Sequence, residues 1–91
     1  MSTYLVERYL PGLTPEQLGA AASAAKATTA AMASEGTPVR YLRSTFVPGE
    51  DKCYCLFDGP SAEVVKTANE RAQLPFERVV DARHITAEDL G

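Results

Sequence analysis

The stretch TPVRYLRSTFVPGEDKCYCLFDGP, residues 37–60, decides the fold. Two runs rich in β-branched and aromatic residues, Val39 to Val47 and Lys52 to Phe57, flank the turn-forming sequence PGED. So short a connection leaves no room for a crossover, so the two runs pair as an antiparallel hairpin. Gly59-Pro60 then breaks the second strand.

Upstream, TYLVERYL predicts a strand from about Thr3 to Leu10, ended by Pro11-Gly12. The segment after it predicts a long helix. Thr14 suits the N-cap, Pro15 the first helical position, and Gln17 completes a capping box. Nine alanines between Ala20 and Ala33 favour helix. Leu18, Ala21, Ala22, Ala25, Thr29 and Met32 fall on one face, and Gly36 closes the helix. An alanine-rich face of this kind lets the helix lie close against a sheet.

Downstream, PSAEVVKTANERAQL predicts a second helix starting at Pro60 or Ser61 and ended by Pro75, with Val64, Val65, Ala68 and Ala72 as its apolar stripe. FERVVDARHI predicts a fourth strand, from about Glu77 to Ile85, and TAEDLG a tail with one helical turn capped by Thr86. The order β-α-β-β-α-β is that of the ferredoxin-like α+β sandwich, with two helices on one face of a four-stranded antiparallel sheet. The name carries no iron–sulfur chemistry, for which two cysteines are too few. The whole chain, 1–91, reads as a single domain.

Strand alternation then asks what covers the second face. In the hairpin, Val39, Tyr41, Arg43, Thr45 and Val47 are expected on one face and Arg40, Leu42, Ser44 and Phe46 on the other. Both faces carry large apolar groups, while two helices cover only one. The simplest cover is a second copy across a two-fold axis, so a homodimer is expected, with Phe46 and Tyr54 as candidate interface aromatics. At 91 residues the chain buries a modest fraction of its surface alone, which adds to the case.

Charge excludes some functions. A net charge of −3 without a basic block argues against nucleic acid, and no apolar run is long enough to span a membrane. The start, MSTYLVERYL, lacks a secretory leader pattern, which points to the cytoplasm. There Cys53 and Cys55 are expected as reduced core thiols. At i and i+2 of one strand they lie parallel, with Cα atoms about 6.5 Å apart, a poor geometry for a mutual disulfide.

The residues able to carry chemistry are few. Glu7-Arg8 places two charges in a strand expected at the sheet centre, on opposite faces. Arg40, Arg43 or Arg78 are partners for Glu7, and Asp81 for Arg8. These pairs are either interface ion pairs or part of a polar pocket for an anionic or polar ligand, with Tyr41, Ser44 and Tyr54 as neutral donors and Arg43 as a further cation. His84 is the single histidine and the natural ligand for a transition metal. Glu7, Asp81 and Cys55 are its candidate assistants, and a two-fold axis would double the set.

YLVERYLPG at the start, the alanine-rich helix, and YLRSTFVPGEDKCYCLFDGPSAEVVKTANERAQLPFERVVDA resemble a small bacterial family of domains of unknown function. That family includes a nickel-binding protein from an actinobacterium. The resemblance runs from Tyr4 to Ala82 and implies a homodimeric ferredoxin-like sandwich, with nickel or another divalent transition metal as a ligand. Three functions remain in contention. One is a binding protein holding a metal or small ligand at a dimer interface. The others are a cofactorless enzyme of the dimeric ferredoxin-like type, by analogy of fold, and a structural or regulatory interaction module.

Overall fold

The computed structural model describes residues 1–91. Four strands, β1 (Ser2–Tyr9), β2 (Arg40–Val47), β3 (Lys52–Gly59) and β4 (Arg78–Ala82), form one antiparallel sheet in the order β2-β3-β1-β4. Helices α1 (Pro15–Ser34) and α2 (Ala62–Arg71) pack on the same side of it. The expected ferredoxin-like order and layering are present.

Local sequence explains the helix ends. Thr14 Oγ1 accepts from the Gln17 amide at 3.1 Å, and Gln17 Oε1 accepts from the Thr14 amide at 2.9 Å, so the capping box at α1 forms as expected. At the other end the Thr37 amide reaches Met32 O and the Gly36 amide reaches Ala33 O, with Gly36 at φ 99°. This double bond pattern needs a left-handed residue, which glycine supplies without a steric cost.

Helix α2 departs from expectation. It stops at Arg71, four residues before Pro75. The Leu74 amide bonds Asn69 O and the Gln73 amide bonds Glu70 O, the same closing pattern with Gln73 in the left-handed position at φ 60°. A glutamine there carries no signal, so sequence placed the stop at the proline instead. Strand β4 is also shorter than Glu77 to Ile85. Its last pair is Ala82 with Thr3, and beyond that point β1 runs out at the start of the chain.

The core lies between sheet and helices. Val6 of β1 and Cys53, Cys55 and Phe57 of β3 pack with Ala25 and Met32 of α1 and Val65 and Ala68 of α2. The expected stripes of both helices therefore face inward. Tyr41 packs edge-on to Phe57, with ring centroids 5.6 Å apart.

Strand β2 overturns one expectation. Tyr41 opposes Phe57, but Arg43 opposes Leu56, so Leu42 is an extra residue forming a bulge. The bulge shifts the alternation by one. Ser44 and Phe46, opposite Cys55 and Cys53, turn to the helix side, while Arg43, Thr45 and Val47 turn to the uncovered side with Arg40. Phe46 thus lies on the helix side, half-buried against the core, and not on the uncovered face.

Candidate functional site

The uncovered face is a lattice of cross-strand rows. Read from β2 to β4, one row is Arg43, Leu56, Leu5 and Val80, and the next is Thr45, Tyr54, Glu7 and Arg78. A row of Arg40, Asp58, Thr3 and Ala82 lies on one side of these, and Val47, Lys52 and Tyr9 on the other. The centre is apolar and the rim is charged.

Glu7 is tied at both oxygens. Lys52 Nζ donates to Oε2 at 3.0 Å and Arg78 Nε to Oε1 at 2.8 Å. These two partners, Lys52 foremost, hold its carboxyl below the usual carboxylate range. Lys52 also reaches Glu77 and sits 5.7 Å over the Tyr9 ring. At the other rim, Asp58 accepts from Thr3 Oγ1 at 2.8 Å and from Arg40 Nη2 at 3.0 Å. Burial pushes its carboxyl up, and the two donors more than offset this, leaving it below its ordinary value.

Arg8 points the other way, into the helix layer, and is 1% exposed. The Asp81 partner expected for it is a correction. Asp81 lies on edge strand β4, exposed and 3.8 Å from Arg83, while Arg8 Nη2 donates to Asn69 Oδ1 at 2.5 Å and Nη1 to Pro75 O at 3.1 Å. Asn69, also 1% exposed, in turn donates to Val65 O at 2.8 Å. The guanidinium therefore clamps α2 and the loop after it to β1. Sequence reading missed Asn69. Its signal was a polar residue on the apolar stripe of α2, four residues after Val65.

Beside Arg8 lie the cysteines, both free and 3.8 Å apart at sulfur. Burial, followed by the neighbouring Cys55, pushes the Cys53 thiol up to about 12. Ser44 Oγ lies 3.0 Å from Cys55 Sγ and 2.8 Å from Tyr41 Oη, making a short, partly buried polar chain.

The six expected ligand residues are thus divided by the sheet. Glu7, Arg43 and Tyr54 occupy the uncovered face, and Arg8, Tyr41 and Ser44 the helix side. The metal candidates are divided too. Cys55 sits in the core, whereas Asp81 and His84 share an open depression of about 500 Å³ beside the chain start, with Ser2 and Thr3. No three His, Cys, Asp or Glu side chains of one chain converge on a metal position.

This geometry defines a class: a ferredoxin-like α+β sandwich with one sheet face bare of helices. Within that class the chain belongs to the family described as Nickel responsive protein SCO4226-like, whose profile matches residues 4–81. Its fold is similar to the crystal structure of SCO4226 from Streptomyces coelicolor A3(2), with a TM-score of 0.79 and 24% identity. That match covers 93% of this chain and 100% of the other. No curated protein matches the chain. No helix is long and apolar enough to cross a membrane.

Proposed function

We propose that the protein is a homodimeric binding protein for a divalent transition metal, nickel first, formed by apposing the uncovered sheet faces of two copies. The observation that carries the metal reading is His84 beside Asp81 in one open depression, in a chain of a nickel-responsive family. Imidazole suits nickel, and a carboxylate alone would favour harder cations. One chain offers fewer donors there than a transition metal takes, so one copy does not complete the site, and the second supplies the remainder. The apolar centre of the uncovered face, where half-buried Leu5, Tyr54 and Val80 surround the already buried Leu56, supports association there. The charged rim then sets the register between copies.

Calorimetric titration of nickel into untagged protein tests the reading, with light scattering for mass. The wild type is expected to be a dimer that binds nickel, and His84→Ala to bind it at least about tenfold more weakly. Equal affinity in both proteins removes His84 as a ligand. Binding by neither leaves an interaction module.

A further inference from the structure

Strand β1 carries into the helix layer the one ionic side chain that the fold buries completely, Arg8. A guanidinium keeps its charge at physiological pH and has five donors. Its bonds to Asn69 and Pro75 engage two of them, both with neutral acceptors. None of the seven ion pairs of the chain includes it. The Cys53 thiol opposite it, pushed up to about 12, is protonated at neutral pH and supplies no counter-charge. A buried cation without an anion is an unfavourable arrangement, which an incoming anion relieves.

The surroundings of Arg8 show where that anion enters. A groove of about 380 Å³ opens between the start of α1 and the loop after α2, with Arg8 lining it and Leu10, Leu13, Ala21 and Leu74 as apolar walls. Its volume is in the range of small-molecule sites, and a few polar groups in an apolar cleft is their usual composition. Arg8 is the only charged residue of the lining; Gln17, in the first turn of α1, is its other side-chain donor. The positive end of that helix favours the same sign of ligand.

We propose that this groove binds a small organic molecule carrying one carboxylate on an apolar body, with the carboxylate directed at Arg8 and the body against Leu10, Leu13 and Leu74. One cation in an apolar cleft matches one anionic charge, and a carboxylate accepts from a guanidinium in its plane. The groove lies on the opposite side of the sheet from the face assigned to the second copy, so the inference stands independently of nickel and of dimerisation.

Amide-resolved NMR titration of the full chain tests it, with benzoate and hexanoate against benzamide and hexanamide. The acids are expected to give saturable shifts at Leu10, Leu13, Gln17, Ala21 and Leu74, and to bind about tenfold more tightly than the matched amides. Inorganic phosphate, which brings charge without an apolar body, is expected not to saturate. Leu74→Trp, which fills the groove and leaves the partners of Arg8 in place, is expected to abolish the shifts. Arg8→Met is expected to erase the preference for acid over amide. Acid and amide titrating alike in the wild type, saturation by phosphate, or shifts that map away from the groove would each overturn the proposal. The wild-type comparison decides it even where Arg8→Met does not fold.

Discussion

Replacing Asn69 with leucine isolates what the buried Arg8 needs from the fold. Leucine has the same number and branching of heavy atoms, so no cavity is created; the change is chiefly one of hydrogen bonding, with a smaller packing cost from its bulkier methyl groups at this buried position. Arg8 Nη2 loses its 2.5 Å bond to Asn69 Oδ1, keeping only Pro75 O, and Val65 O loses the Asn69 donor. A bond to a charged group is worth about 1.5–3 kcal/mol, and a neutral one about 1 kcal/mol. Added leucine burial returns part of this, leaving an expected loss of about 3 kcal/mol. In a domain whose whole stability is about 5–15 kcal/mol, that is a large share. Urea denaturation followed by circular dichroism reads it directly. With a slope of about 1–1.5 kcal/mol/M, the midpoint should fall by about 2–3 M. The double variant Arg8→Met/Asn69→Leu should recover most of the loss, because the charge that needed the acceptor is gone. A single-variant loss below about 1 kcal/mol, or strict additivity in the double variant, would refute the argument that the clamp satisfies a buried charge.

Three further perturbations follow from the geometry. Gln73→Gly should stabilise the chain by about 0.5–1 kcal/mol in a urea titration, since glycine adopts the left-handed closure of α2 without steric cost. Glu7, held low by Lys52 and Arg78, contributes stability that is full above the ordinary 4.5 and lost as pH falls through its folded pKa; Glu7→Gln should flatten the acid limb of a stability–pH curve. Tyr54→Asp should lower the mass seen by light scattering while preserving the circular dichroism spectrum, whereas Phe46→Asp, packed against the core, should lose the folded spectrum itself.

Cys53 works in the alkaline direction. Its folded thiol is raised from 9.0 to about 12, so the unfolded chain releases the proton first. Stability should therefore decline as pH rises between those values, and Cys53→Val should flatten that decline in an alkaline denaturation series.

The parts of the fold legible in the sequence were those written in local chemistry. The Thr14 and Gln17 capping box, Gly36 after α1 and the PGED turn each announce a boundary within a few residues. What was hidden depends on register or distance. The bulge at Leu42 leaves no compositional mark, yet it reverses the faces of the residues that follow it in β2, so Ser44 and Phe46 were grouped with Arg40 although they share the side of Tyr41. The end of α2 at Gln73 was hidden by a residue seldom used there. For the site, Arg78 was one of three arginines offered as partners for Glu7, because charge in a central strand limits the choice, and the structure selects it while Arg40 goes to Asp58. Lys52 was not, because its approach to Glu7 follows from how β3 pairs with β1. The Arg8–Asn69 clamp joins residues 61 positions apart, which no local pattern reveals.

The extra residue in β2 also bears on what the sheet can join. With the order β2-β3-β1-β4, the outer strands are β2 and β4. A long, flat outer strand is a template on which another chain adds a strand, and repeated addition builds a fibre. Here one border is interrupted by a bulge between Tyr41 and Arg43, and the other is only five residues long, starting at Arg78 and followed by Arg83. Both borders are thus blunted against lateral growth, which leaves the broad uncovered face for the association proposed above. Deleting Leu42 would straighten the first border and leave it open to such runaway stacking.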